Sequence, residues 1–115
     1  RVIFRPADMV AGEQCGMLGV AVDPQFATNR TVYAYMSSTA GGAADSRIVA
    51  INVDATYTST SGRRDILTGI TYLASAHCGG RVRFGPDGNL YVGGLFKDAG
   101  GVLEADYIAM WGRKL

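Results

Sequence analysis

The chain has 115 residues, 48% of them hydrophobic, and its 11 Lys and Arg nearly balance its 10 Asp and Glu. This length is sufficient for one domain with a modest core. No apolar run reaches the roughly 18 residues of a membrane-spanning helix, and no Lys/Arg cluster forms the basic surface typical of nucleic-acid binding. Abundant Gly, with frequent Val, Ile, Tyr and Thr, predicts short strands joined by tight turns. We therefore expect an all-β fold with no membrane span and no nucleic-acid partner.

The first part of the chain predicts a succession of short strands. A continuously apolar run at residues 17–22 is typical of a strand that is covered on both faces. Small or polar residues at 38–45 predict a loop, and polar residues at 56–64 predict a turn. The predicted strands cover residues 2–4, 17–22, 31–36, 47–53 and 65–70.

The second part of the chain begins at its only histidine, His77. Two glycines follow closely, then an alternating strand at 81–84, a Pro-Asp-Gly turn at 86–88 and a strand at 89–92. Residues 102–111 fit either a short helix or an irregular strand. A histidine held where a loop meets a strand is suited to proton transfer near neutral pH, and equally to lining a channel while bonded to backbone.

The pattern of the first part restarts in the second, with a period of about 62 residues. Four strands per unit in meander order are what a blade of a β-propeller requires. Such a sheet exposes both faces, so we do not expect this chain to fold alone as a closed unit. The matched segments are 22–24 with 84–86, 32–33 with 90–91, and 14–16 with 76–78.

Two motifs resemble the glucose/sorbosone dehydrogenase family of soluble quinoprotein sugar dehydrogenases: residues 12–26 with Asn29 and Val32-Tyr33, and residues 77–92. The resemblance implies part of a six-bladed β-propeller, with residues 1–10 ending one blade, 11–72 forming the next and 73–115 forming most of a third. Six blades need roughly 270 residues. The resemblance therefore implies that the remaining blades, or other protein chains, complete the fold, and that this chain alone is inactive.

The same resemblance implies an oxidoreductase whose substrate is a small sugar. His77 corresponds to the general base that takes the proton of the anomeric hydroxyl, and Gln14 to a residue that contacts both quinone and sugar. Hydride passes to pyrroloquinoline quinone, with calcium as a second cofactor. Most ligands of both cofactors would lie outside this chain, which offers no metal ligand of its own. A periplasmic or extracellular (secreted) location is also implied.

Two positions depart from the family's pattern. Phe96 occupies the place of the aspartate that orients the histidine, with Asp98 as a candidate substitute, and Ala76 replaces an acid carried by soluble glucose dehydrogenases. A base without its orienting carboxylate loses tautomer control and stabilisation of the imidazolium. The alternative is therefore a catalytically lapsed propeller segment that serves as a structural or protein-binding module.

The two cysteines, Cys15 and Cys78, directly follow the residues that correspond to the amide and the base. Two cysteines do not make a zinc site, which usually needs four ligands. They are joined in a disulfide between neighbouring blades, which requires Cα atoms about 4.4–6.8 Å apart, or are two separate buried thiols, or pair with another chain.

Overall fold

The computed structural model describes residues 1–10, 15–72, 80–94, 96–97 and 108–112. Nearly all the regular structure in these ranges is β-strand, which confirms the all-β prediction. The described part of the chain contains no helix with the length and apolar character needed to cross a bilayer. In chain order the elements are β1 (Met17–Val22), α1 (Phe26–Asn29), β2 (Thr31–Ser38), β3 (Asp45–Val53), β4 (Thr60–Tyr72), β5 (Gly80–Phe84), β6 (Leu90–Gly94), β7 (Phe96–Lys97) and β8 (Ile108–Trp111).

The strands form two antiparallel sheets. The first has the order β1-β2-β3-β4-β7 and the second the order β5-β6-β8. The first four strands follow one another as a meander, as predicted, with each strand paired to the next along the chain. Strand β7 comes later in the sequence than β6, yet it pairs with the end of β4 in the first sheet. The second part of the chain therefore contributes to both sheets.

The two sheets pack face to face through aromatic and aliphatic side chains. Tyr33 of β2 meets Phe84 of β5 edge-on, with ring centroids 5.3 Å apart and an interplanar angle of 68°. Full burial of one such apolar side chain contributes about 1.5–3 kcal/mol, so this cluster is the main force that joins the sheets. Its buried members are Ala21, Tyr33, Tyr35, Ile48, Ala50, Ile70, Val82, Leu90 and Val92.

The opposite face of the first sheet is apolar but only partly covered. Phe4 and Met9 of the N-terminal segment pack against a small cluster on this face. Val20 and Val22 of β1 are 59% and 56% exposed, and an apolar groove of about 530 Å³ runs beside them. The prediction that β1 is covered on both faces is therefore wrong for this chain. One face of β1 meets the second sheet, and no described residue covers the other at these two valines.

Two sequence-based strand assignments also need correction, and one open alternative is decided. Residues 2–4 are not a strand, because a three-residue run that ends near Pro6 offers too few backbone donors for a ladder. Strand β4 begins at Thr60 rather than at residue 65, because the polar residues 60–64 pair with β3. Of the two alternatives for residues 102–111, the described part, β8, is a strand paired with β6. Helix α1 and strand β7 were not predicted at all.

A chain of ion pairs fastens the N-terminal segment to the first sheet. Arg63 of β4 contacts Asp8 at 2.5 Å and Asp65 at 2.8 Å, and the buried Arg47 of β3 contacts Asp65 at 2.7 Å. The Ser38 hydroxyl also donates to the Asp8 carboxylate at 2.5 Å. Hydrogen bonds from Arg63 hold the pKa of the Asp8 carboxyl well below its ordinary value, against the opposing effect of burial.

We expect Arg63→Ala to lower the free energy of unfolding of the intact protein by about 1 kcal/mol at pH 7. A carboxyl whose pKa is depressed by folding stabilises the fold above its ordinary pKa, here 3.8, and loses that contribution as the pH falls through the depressed value. The difference in the free energy of unfolding between wild type and Arg63→Ala should therefore become smaller below about pH 4. Urea unfolding at pH 7 and pH 3 measures it.

The matched control is Arg64→Ala, because the Arg64 guanidinium donates only neutral hydrogen bonds, to the Asn52 side chain and the Gly62 carbonyl. Arg64→Ala should lower the free energy of unfolding by less than Arg63→Ala does, and this loss should not depend on pH between pH 7 and pH 3. An equal loss in both variants, or a deficit in Arg63→Ala that does not change with pH, would contradict the assigned role of the ion pair.

Cys15, just before β1, is disulfide-bonded. The chain has only one other cysteine, Cys78, which lies outside the described residues. The state of Cys15 therefore agrees with the hypothesis of a Cys15–Cys78 bridge and not with two separate thiols. Such a bridge joins the segment that leads into the first sheet to the segment that leads into the second.

We expect reduction of this disulfide to lower the free energy of unfolding by about 4 kcal/mol, because the bridge closes a loop of roughly 60 residues. Urea unfolding with and without a phosphine reductant measures the effect. The Cys15→Ser/Cys78→Ser double variant is the control and should not respond to the reductant. If wild type and double variant unfold at the same urea concentration, the bridge does not constrain the fold.

Candidate functional site

The two residues predicted to form the site, Gln14 and His77, both lie outside the described residues, as do Ala76 and Asp98. The strands that follow them are described. Strand β1 begins three residues after Gln14, and strand β5 begins three residues after His77. The placement of β1 and β5 therefore shows where the two site-bearing segments enter the sheets.

Strands β1 and β5 lie next to each other although they belong to different sheets. A Cβ atom added to Gly19 of β1 would lie 3.1 Å from the carbonyl oxygen of Gly80. Each strand is the edge strand of its sheet, since β1 pairs only with β2 and β5 only with β6. Residues 18–22 and 81–84 line an open groove of about 390 Å³ between them. The structure therefore brings together the starts of the two strands that follow the predicted site residues.

Gly80, the first residue of β5, packs directly against the aromatic ring of Tyr35 in the first sheet. A Cβ atom on Gly80 would overlap the ring of Tyr35 in β2, so only glycine fits here. Tyr35 is 1% exposed, and its hydroxyl is hydrogen-bonded to the Ser46 side chain of β3. Burial raises the pKa of this hydroxyl, so the side chain is uncharged at neutral pH. Sequence reasoning missed this residue, although Gly at the start of a strand signals a close approach.

Strand β7 places Phe96 beside the strand that leads to His77. The Phe96 backbone pairs with Tyr72, the last residue of β4 and five residues before His77. The position at which the resemblance expects an orienting acid is therefore paired with the last residue of β4. A phenylalanine has no proton acceptor, so position 96 cannot supply the carboxylate that controls the imidazole tautomer.

Two aspartates stabilise the turns at the other ends of β1 and β5. The Asp23 carboxylate accepts from the Tyr33 hydroxyl at 3.1 Å, and the Asp87 carboxylate accepts from the Tyr91 hydroxyl at 2.6 Å. The Tyr91 hydrogen bond lowers the pKa of Asp87. The two tyrosines occupy corresponding positions in the predicted repeat, but the aspartates do not, because Asp23 corresponds to Gly85. Both carboxylates follow their strands, whereas the predicted site residues precede them, so both act in the turns.

The described ranges contain no group of three or more His, Cys, Asp or Glu side chains that could hold a metal ion. Three aspartates at the first sheet already pair with arginine side chains, so their carboxylates are engaged in ion pairs. They are Asp8, Asp45 and Asp65. No calcium-binding step is therefore assigned to these residues.

Solved structures similar to this chain include sugar dehydrogenases. The PQQ-bound form of an aldose sugar dehydrogenase from Streptomyces coelicolor is 31% identical, with a TM-score of 0.66 over 82% of this chain and 27% of that chain. A glucose dehydrogenase from Thermus thermophilus is also 31% identical, with a TM-score of 0.66 over 78% of this chain and 27% of that one. The soluble aldose sugar dehydrogenase of Escherichia coli, in its apo form, is 23% identical with a TM-score of 0.68 over 80% of this chain and 27% of that one, a likeness of fold.

The chain spans 27% of the length of these solved relatives, so it forms part of a β-propeller, as predicted. A search of curated proteins found no match. Residues 2–96 match the glucose/sorbosone dehydrogenase family over most of the chain. The resemblance seen in the sequence is thus confirmed, and the chain belongs to the glucose/sorbosone dehydrogenase family.

Proposed function

We propose that this chain supplies the general base and one binding amide to an enzyme that oxidises an aldose at its anomeric carbon. The observation that carries the proposal is the contact between β1 and β5, because Gln14 and His77 precede these strands at the same spacing. Family membership supplies the substrate class. The activity belongs to the whole protein, since this chain spans 27% of the solved relatives.

Pyrroloquinoline quinone is the proposed hydride acceptor, and the described residues fit it chemically. This quinone carries several carboxylates, and the exposed Arg81 and Arg83 line the groove between β1 and β5. Guanidinium groups are suited to carboxylates, and the Gln14 amide offers both a donor and an acceptor. When bound, the quinone supplies the redox chemistry by accepting the hydride.

The proposed role of His77 is to remove a proton from the sugar. A neutral imidazole nitrogen accepts the proton of the anomeric hydroxyl, while the C–H bond at the same carbon breaks and its electron pair leaves as hydride. The sugar becomes a lactone, and the imidazolium later returns the proton to solvent. The base must be neutral, so the rate should rise with pH through the ordinary imidazole pKa of about 6.5.

The rest of the protein completes the site in this proposal. Residues 1–10 end one blade, residues 11–72 form the next, and residues 73–115 form most of a third. Further blades supply the calcium ligands and the remaining ligands of the quinone. A periplasmic or extracellular location fits the disulfide-bonded Cys15, because disulfides persist in oxidising compartments.

We expect His77→Ala to reduce kcat at least about 100-fold, the usual contribution of general base catalysis. Reduction of a dye by glucose and other aldoses, with added quinone and calcium, measures turnover of the intact protein. Gln14→Ala should mainly raise KM, because its amide binds rather than transfers protons. Both variants should keep the wild-type circular dichroism, which controls for folding.

Undiminished turnover by His77→Ala would exclude this residue as the base. If the wild type gives neither dye reduction nor an absorbance shift of added quinone, the enzyme proposal fails. The chain is then the catalytically lapsed structural or binding module, a role for which Phe96 and the open apolar face of β1 are suited.

We expect Phe96→Asp to raise kcat about tenfold or more, because it returns a carboxylate to the position beside the end of β4 and so helps to orient the His77 imidazole. The pH–rate profile should also shift to higher pH, since a nearby carboxylate stabilises the imidazolium. Lys97→Asp, with the same new carboxylate one residue along the strand, is the control. Equal effects of the two variants would show that the gain is not specific to position 96.

A further inference from the structure

We propose that Tyr35 is a positioning residue for the proposed site, and that its ring fixes the start of β5 and thereby the segment that carries His77. This inference rests on the proposed function and deepens it. It assigns a role to a side chain that is buried between the sheets and that the sequence analysis did not identify as a candidate site residue.

The contact between Tyr35 and Gly80 leaves no freedom for either partner. The ring lies where a Cβ atom of residue 80 would be, so the Gly80 backbone rests directly on it. Tyr35 is 1% exposed, and its position in β2 is set by pairing with Ile48 of β3. The hydrogen bond between its hydroxyl and Ser46 holds the far end of the ring.

The contact between Tyr35 and Gly80 lies close in sequence to the proposed base. Gly80 is the first residue of β5 and comes three residues after His77. The Gly80 carbonyl also closely approaches Gly19 of β1, which is the cross-strand partner of Tyr35 and follows the disulfide-bonded Cys15 by four residues. The start of β5 thus packs against both the Tyr35 ring and the β1 backbone of the first sheet. A displacement of about 1 Å at a catalytic group can reduce the rate about 100-fold.

The test adds a Cβ atom at position 80, which overlaps the Tyr35 ring, and then removes the ring in a second substitution. Gly80→Ala should lower kcat at least tenfold with little change in KM, because the base is displaced while the sugar contacts elsewhere persist. Tyr35→Leu/Gly80→Ala removes the ring and should recover most of that loss. Tyr35→Phe/Gly80→Ala keeps the ring and should recover none of it.

Gly88→Ala is the matched control for backbone strain. Gly88 lies in the turn at the other end of β5, has φ +81°, and has no atom within 4 Å of an added Cβ. It should lower stability while leaving kcat per folded molecule unchanged. If Gly80→Ala behaves like Gly88→Ala, or if the Leu double variant is no more active than the Phe double variant, Tyr35 is only a packing residue.

Hydrogen exchange of peptides that cover residues 73–79 provides a readout independent of turnover. Exchange should be faster in Gly80→Ala and return towards wild type in the Leu double variant, but not in the Phe double variant. This pattern in a protein without turnover would support the positioning role and contradict the proposed function. Unchanged exchange in all variants would contradict the positioning role, whatever the activity.

Discussion

The arrangement of the two sheets depends on the close approach of the β1 and β5 backbones and on the contact of β5 with the Tyr35 ring. Gly19 and Gly80 allow the edge strands of the two sheets to approach until a Cβ on one would lie 3.1 Å from the carbonyl oxygen of the other. Tyr35 occupies the volume that any side chain at position 80 would need. A larger residue at either glycine would push the sheets apart, and the groove between β1 and β5 would widen with them.

This packing explains how a family of propeller enzymes can build a site from segments far apart in sequence. Hydrophobic burial between the sheets supplies most of the stabilisation, but it is not directional. The glycine contacts and the disulfide at Cys15 add the geometric precision that burial alone lacks. Both lie at the ends of β1 and β5 that the candidate site residues precede, and the turns at the opposite ends are held by their own aspartate–tyrosine hydrogen bonds.

Much of the fold could be predicted because its signals are local. Strand β1 has the predicted bounds, since the apolar run at residues 17–22 is closed by Asp23-Pro24. The features that escaped prediction are not local. Strand β7 has two residues and is recognisable only by its pairing with β4. The exposure of Val20 depends on whether another sheet covers it, which periodicity cannot show. The contact of Tyr35 with Gly80 joins residues 45 positions apart, and no pattern in either segment indicates its partner.

We propose that the contact between β1 and β5 brings the Gln14 amide and the His77 imidazole to one ligand. A crystal structure of the intact protein soaked with pyrroloquinoline quinone and a sugar tests this most directly. We expect a ring nitrogen of His77 within about 3 Å of the anomeric hydroxyl oxygen, and the Gln14 amide within the same distance of the quinone or the sugar. A structure in which the two side chains lie on opposite sides of the sheets, or contact different ligands, would contradict it.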